Sequence, residues 1–280
     1  MKTYTLPPSG LTVPAVVAGM MRIQDRSDAE VRALYDAARG AGVDFFDHAD
    51  IYGAGDFHGC EARFAEALRL TASERSEIVL QTKAGIVKQG YFDFSYEHLI
   101  RQAEGSLAAL RTDHLDLLLL HRPDALVEPE EVARAFDELE ASGKVRHFGV
   151  SNHTPGQIEL LRRHVRQPLV VNQLQLSITH APMIAQGLAM NMAGLDQSVS
   201  RDLGVLDYCR LHDITVQAWS PFQAGFFDGV FLGDERYPEL NAVVERLAAR
   251  HGVAPEAIAV AWITRHPARP QVVLGTTNPG

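Results

Sequence analysis

Short apolar runs punctuate the 280-residue chain at 15–19, 43–47, 78–82, 115–120, 145–150, 169–173, 214–218 and 271–275. Val, Ile, Leu and Phe dominate them with little polar alternation, the pattern of strands covered on both faces in a parallel sheet. Between the runs, apolar positions fall at helical spacing. Residues 27–40 start on Ser27 and Asp28 and put Val31, Leu34, Tyr35 and Ala38 on one face. Residues 95–110 do the same with Leu99, Ala103, Ser106, Leu107 and Leu110. Residues 129–142 carry Val132, Ala135, Phe136 and Leu139 and stop before Gly143, and 155–164 and 255–265 each open on a proline, which suits a first helical turn.

Eight strands alternating with helices predict an α/β fold with a parallel sheet. A doubly wound sheet would alternate too, but the glycine fingerprint of its first turn is missing. Gly53, Gly55 and Gly59 come nearest, and His58 stands where the third glycine belongs. The expectation is therefore a (β/α)8 TIM barrel, a single domain over residues 1–280. Residues 1–14, with the turn signal Pro7-Pro8-Ser9-Gly10, are expected to form an N-terminal β-hairpin that plugs the barrel floor. Two connections are long enough to be functional. Residues 177–204 hold Met190 and Met192, which line a substrate pocket or pack on the rim. Residues 220–238 hold Phe222, Phe226, Phe227, Phe231 and Tyr237, a ligand cover, a satellite helix, or both.

Composition adds exclusions. Hydrophobic residues are 46% and charged residues 22%, which fits a globular chain rather than a disordered one. The net charge of −9 disfavours a general nucleic-acid or anionic-membrane partner, though it leaves room for a local basic pocket. Two cysteines far apart, Cys60 and Cys209, make no disulfide framework, so a cytoplasmic setting is expected. No run approaches the ~18 apolar residues of a membrane span, and the first ten residues hold no signal core. The oligomeric state leaves no mark.

The chemistry is positional. The second run leads into Asp47-His48-Ala49-Asp50-Ile51-Tyr52, and the third ends on Thr82-Lys83. The fourth ends on His121-Arg122, the fifth on Ser151-Asn152 and the sixth on Gln173. The seventh ends on Trp219-Ser220 and the eighth on Gly275-Thr276-Thr277. In a (β/α)8 barrel all these ends meet at the face where active sites lie. Lys83 follows buried apolar residues and wants a carboxylate, which Asp47 on the adjacent strand can supply. A cation beside Tyr52 should lower a phenol pKa that starts near ~10 and make it a general acid near neutrality. His121 can donate to the same substrate oxygen. Taken singly, Asp47–Lys83 could be a plain barrel salt bridge, His121 a satisfied core histidine and Tyr52 a packing residue; their shared barrel mouth argues for a site. His48, Asp50, His58 and Cys60 carry metal-ligand atoms at a spacing that fits no standard zinc pattern. Neither a Gly-x-Ser-x-Gly elbow nor a Walker sequence is present.

With these residues in view, the chain resembles the aldo-keto reductase superfamily. The resemblance runs from Ala18-Gly19-Met20 through Asp47-x-Ala49-x-x-Tyr52, Lys83, Leu115-Asp116-Leu117, His121-Arg122-Pro123, Gly143-Lys144-Val145-Arg146 and Gly149-Val150-Ser151-Asn152. It continues through Asn172-Gln173, Trp219-Ser220-Pro221 and Leu274-Gly275-Thr276. It implies NADPH-dependent reduction of an aldehyde or ketone to an alcohol, with a small carbonyl substrate. Tyr52 would be the proton donor, tuned by Lys83, which Asp47 holds, while His121 orients the carbonyl. It further implies cofactor contacts from Gly19, Met20, Met21, Asp47, Ser151, Asn152, Gln173, Trp219, Ser220, Pro221, Phe222, Gly275, Thr276 and Thr277. NADPH (NADP+) rather than NADH rests on family habit. The last helix, the carboxy-terminal tail and the Arg that grips the cofactor's 2′-phosphate are expected past Gly280. Two alternatives stay open: a nicotinamide-binding regulatory subunit on the same barrel, and a Schiff-base aldolase using Lys83.

Overall fold

The computed structural model describes every residue except 8, 56, 89, 227 and 280, so Pro8 of the expected turn, Phe227 of the long connection and Gly280 lie outside the described residues. In chain order the strands are β1 (Thr3–Leu6), β2 (Leu11–Pro14), β3 (Val16–Gly19), β4 (Phe45–Asp47), β5 (Val79–Ala84), β6 (Ile86–Val87), β7 (Tyr91–Phe92), β8 (Leu115–Leu120), β9 (Val145–Ser151), β10 (Leu169–Gln175), β11 (Thr215–Trp219) and β12 (Gln271–Leu274). The helices are α1 (Asp28–Gly40), α2 (Gly59–Leu68), α3 (Ala72–Ser76), α4 (Tyr96–Leu110), α5 (Pro129–Ala141), α6 (Pro155–Arg162), α7 (Pro182–Ala185), α8 (Val205–Leu211), α9 (Pro238–His251) and α10 (Pro255–Thr264).

Eight of these strands pair in parallel and close into a barrel in the order β10-β11-β12-β3-β4-β5-β8-β9. They coincide with the eight apolar runs to within two residues at either end. The helices begin where capping chemistry allows. Ser27 and Glu30 form a reciprocal capping box at α1, and Thr71 and Glu74 do so at α3. Pro129 and Pro155 occupy the first turns of α5 and α6. The faces expected to be apolar are buried: Val31, Leu34 and Tyr35 of α1, and Val132, Ala135, Phe136 and Leu139 of α5. They join one continuous core between helices and barrel. Each Val, Leu or Phe among them contributes roughly 1.5–3 kcal/mol on burial.

Inside the barrel a second core holds Val17, Phe45, Val79, Leu117, Leu119 and Val171. The hairpin of β1 and β2 inserts Leu6 and Val13 into this same cluster, so the floor is plugged as the sequence suggests. Above the apolar layer lies a layer of buried amides. Gln217 exchanges hydrogen bonds with Gln81 at 2.9 and 3.2 Å and donates to Gln271, which in turn donates to the Pro14 carbonyl of the plug at 2.7 Å. Buried polar groups that satisfy one another this way rigidify a core rather than weaken it.

The two long connections behave differently. Residues 177–204 contain α7 and a single 3₁₀ turn, and Met190 and Met192 are 60% and 56% exposed. Neither lines the cavity; the segment packs on the core through Met183 and Ile184, and its later part leaves Met190 and Met192 to solvent. In 220–238 no satellite helix forms among the described residues. An isolated antiparallel bridge joins Gln223 to Val230, and Phe231 is buried against Ala224 and Ala259 with Phe222, Tyr237 and Leu240 around it. Among the described residues no helix is long and apolar enough to cross a membrane.

Candidate active site

The site is built from strand ends. After Asp47 the chain keeps following β5: His48 N–H donates to the Gln81 carbonyl and Asp50 N–H to the Lys83 carbonyl. A turn closed by Tyr52 N–H on the Ala49 carbonyl at 3.0 Å then brings the phenol over the barrel mouth. Gly53 permits the exit. Its φ is +119°, and a Cβ there would meet the Gly59 Cα at 3.1 Å.

Lys83 points inward from β5 and is completely buried. Its ammonium donates to Asp47 Oδ2 at 2.7 Å, to the His48 carbonyl at 2.7 Å and to the Tyr52 hydroxyl at 3.2 Å. Burial alone would lower the Lys83 pKa; the Asp47 carboxylate and the Tyr52 oxygen reverse this and hold it above the ordinary lysine value. Asp47 is held in turn, its Oδ1 accepting from Gln81 at 2.6 Å and from Gln173 at 3.1 Å. The Tyr52 pKa is raised, not lowered as the sequence suggests: burial is the largest influence, and the Lys83 charge only offsets it in part. The phenol therefore keeps its proton at neutral pH. His121 follows β8, anchored by its N–H on the Ala84 carbonyl at 2.8 Å, and its ring stands edge-on to Tyr52 with centroids 5.8 Å apart. Burial first, then the charges of Lys83 and Arg122, push its pKa well below the usual value, so the imidazole is neutral. Its Nδ1 is buried without a partner among the described residues.

A cavity of about 600 Å³ opens above these groups, a size typical of small-molecule sites. On the far side from Tyr52, Asn152 clips three strand ends together. Its amide donates to the His121 carbonyl and the Ser151 hydroxyl and accepts from Trp219 Nε1 at 3.2 Å. Asn152 and Ser220 both adopt left-handed backbone, with φ of +61° and +52°, at the ends of β9 and β11. Strained strand ends of this kind cluster at ligand sites. Both donors of the Gln173 amide are engaged by Asp47 and Gln217, so its acceptor oxygen is what it still offers a ligand.

Of the sequence-selected residues, Asp47, Tyr52, His121, Gly19, Met21, Ser151, Asn152, Gln173, Trp219, Ser220, Pro221, Phe222, Gly275 and Thr276 all line this one cavity. Three do not. Lys83 lies beneath the surface, behind Tyr52. Met20 is buried in the outer core, because the chain turns outward as soon as β3 ends. Thr277 lies past the rim, where its hydroxyl accepts from Arg26 at 3.3 Å. Sequence reasoning missed the supporting amides Gln81, Gln217 and Gln271, and the cavity residues Arg22, Ile86 and Glu256. Arg22 donates to the Gly275 carbonyl at 3.1 Å, tying the ends of β3 and β12. The register pairs Asp47 with Gln81, and Gln217 with both Gln173 and Gln271, so a polar residue at one level of successive strands was the available signal.

Behind Tyr52 sits a second buried group. Glu61 of α2 accepts from Thr82, from Ser106 at 3.1 Å and from His58 Nδ1 at 2.6 Å. Next to it, both Asp50 oxygens and both His48 ring nitrogens are buried without partners among the described residues. Burial, reinforced by Glu61, pushes the Asp50 carboxyl up to about 8, and burial pulls His48 down to about 4. Both are thus neutral near neutrality. Cys60 donates to the Met21 carbonyl at 3.3 Å, and among the described residues no three His, Cys, Asp or Glu side chains are grouped to hold a metal ion.

Comparisons with known proteins bear on the family and the fold. The model of the Aldo/keto reductase family matches residues 15–280. The oxidoreductase YdhF of Escherichia coli is 36% identical over 99% of this chain and 88% of its own length. A 6-dehydroglucose reductase of Agrobacterium fabrum is 35% identical over 96% of this chain and 86% of its own. Among solved structures, the thermostable aldo-keto reductase Tm1743 in complex with the inhibitor epalrestat superimposes with a TM-score of 0.73 at 26% identity, covering 98% of this chain and 88% of that one.

Proposed function

Because the chain belongs to the aldo/keto reductase family, we propose that it is an oxidoreductase that uses NADPH to reduce an aldehyde or ketone to an alcohol. The observation that carries this reading is the hydrogen-bonded chain Asp47–Lys83–Tyr52 ending beside His121 on the wall of the cavity. The residues present fit a nicotinamide nucleotide. Gly19 lets the end of β3 lie tight against β12 at the cavity wall, where a Cβ would come within 3.1 Å of the Leu274 carbonyl oxygen and of the Val273 side chain. Ser151, Asn152 and the Gln173 oxygen would meet the carboxamide, Trp219 would offer its face to the ring, and Ser220, Phe222, Gly275 and Thr276 would follow the phosphates and adenosine. When bound, the dihydronicotinamide supplies a hydride, with its electron pair, to the carbonyl carbon.

The chain's own residues do the rest. Tyr52 enters protonated and gives its hydroxyl proton to the carbonyl oxygen, which becomes the alcohol. The phenolate left behind faces the Lys83 ammonium, whose charge Asp47 keeps in place, and Tyr52 regains a proton from solvent after the alcohol leaves. With its proton on Nε2, neutral His121 donates a hydrogen bond to the same oxygen as charge develops there, and its buried Nδ1 is then only an idle acceptor. The geometry does not favour a Schiff-base role for Lys83: its nitrogen is ringed by three acceptors and stays protonated, which removes the lone pair a nucleophile needs. The test is a fluorescence titration with NADPH and with NADH, followed by nucleotide oxidation in the presence of aldehydes. Tight NADPH binding and aldehyde-dependent oxidation are expected. Binding of neither nucleotide would overturn the reading, and tighter NADH binding would overturn the cofactor choice alone.

A further inference from the structure

The mechanism leaves Arg22, Glu256 and Arg122 of the cavity lining unused, and of these Arg122 stands next to the reacting groups. Arg122 follows His121 directly at the end of β8, is half-buried, and lines the same wall as Tyr52 and His121. Among the described residues its guanidinium makes neither a hydrogen bond nor an ion pair. What it meets is the Phe226 ring, 5.7 Å away, whose edge contact with Trp219 places it over the same cavity. Asp124, two residues on, is turned elsewhere and accepts from the Phe94 and Leu126 N–H groups. Sheltered arginines in this protein are otherwise engaged. Arg75 donates to Asp116 and to two carbonyls, and Arg63 to Asp28 and the Arg26 carbonyl. A guanidinium does not shed its proton near neutrality, so holding one half-buried and unpaired costs free energy that an arriving anion would recover.

Position decides which ligand that anion belongs to. In the closed strand order β8 is four strands from β12 in either direction, so Arg122 stands across the barrel mouth from Gly275 and Thr276, the segment assigned above to the cofactor's phosphates. It stands beside the reacting carbonyl instead. We infer that the substrate is a carbonyl compound bearing a second, anionic group of the carboxylate, sulfonate or phosphate type, received by the Arg122 fork while the carbonyl oxygen lies on Tyr52 and His121. A planar guanidinium matches such groups with paired hydrogen bonds. The chain's net charge of −9 gives an anion no general attraction, so this contact carries the selection.

The inference rests on the reductase reading, and the experiment separates the two. Initial rates are measured with NADPH for para-carboxybenzaldehyde and for its methyl ester, in the wild-type protein and in Arg122→Met, Arg122→Gln and Arg122→Lys. The ester is intrinsically the more electrophilic aldehyde, so chemistry alone works against the expected result. Wild type should favour the carboxylate in kcat/KM by about 10- to 100-fold, the range for a hydrogen bond to a charged group. Arg122→Met and Arg122→Gln should bring the ratio close to one, chiefly through KM for the carboxylate, and Arg122→Lys should keep part of it. Wild-type turnover without preference, or a preference that survives in Arg122→Met or Arg122→Gln, would overturn the inference and leave the reductase reading standing. The wild-type ratio remains decisive even if a variant fails to fold. Turnover of neither aldehyde would remove the reductase reading and the inference with it.

Discussion

Two buried ion pairs hold this protein together at almost the same separation, Lys83–Asp47 at 2.7 Å and Arg75–Asp116 at 2.9 Å, yet their surroundings differ in kind. Arg75 reaches from α3 to the start of β8 and donates to Thr112, to the Ile78 and His114 carbonyls and to Asp116. Asp116 also accepts the Leu80 N–H and Arg146. All its partners are protein groups, at the barrel end where polar residues serve stability. Lys83 has three partners against four for Arg75, but one of them is a hydroxyl on a cavity wall that it shares with His121. Burial of a charge pair does not mark an active site. An edge of the network left open toward a cavity does.

The comparison can be broken most sharply at its open edge. Tyr52→Phe should lower kcat by about a hundred- to ten-thousand-fold, the usual contribution of a general acid, while NADPH affinity in a fluorescence titration stays near wild type. Full turnover by this variant would remove Tyr52 from its role. Arg75→Met should do the reverse. Removing one partner of a buried pair leaves the other uncompensated and costs about 3–5 kcal/mol, which a urea titration reads directly. The kcat of the protein that remains folded should be unchanged. A fall in kcat in step with stability would mean that the two pairs are one system after all.

How much of this was legible in the sequence follows the same division. The barrel strands were readable because burial on both faces leaves long apolar runs, and Leu115–Leu120 shows this even though Asp116 interrupts it. Helix α9 was missed although Pro238 begins it and Asn241, Val244 and Ala248 repeat at helical spacing, because the aromatic loop before it makes Pro238 resemble an end. The site residues were readable because a charged or phenolic group at the end of a buried strand needs a reason. The amide layer beneath them was not, since Gln81 and Gln217 are 136 residues apart and only the closed barrel makes them neighbours. The direction of the Tyr52 shift was misjudged for a related reason: a sequence names the neighbouring cation, but the depth of burial that outweighs it exists only in the fold.

The smallest effect concerns a third buried group, Asp50, which has neither the partners of Asp116 nor the exit of Tyr52. Its carboxyl is pushed from an ordinary 3.8 up to about 8, chiefly by burial. A raised folded-state pKa contributes stability that is whole below the unfolded value and is lost as pH rises through the folded one. His48 and His153, both lowered to about 4 from 6.5, work in the opposite sense, contributing stability above 6.5 that is lost as pH falls toward 4. Below pH 6.5 the two trends oppose each other. Between pH 7 and 8.5 these histidines are largely neutral in both states and the Asp50 trend outweighs theirs. Stability should therefore decline across that window, by about 1 kcal/mol. Asp50→Asn keeps the shape, cannot ionise, and should flatten the decline in urea midpoints measured at the two ends of the window. The slope is the readout rather than the absolute level, because an uncharged amide also lacks partners there and its cost does not vary with pH. A decline that survives the substitution would show that Asp50 does not change its protonation across the window and that another group sets the slope.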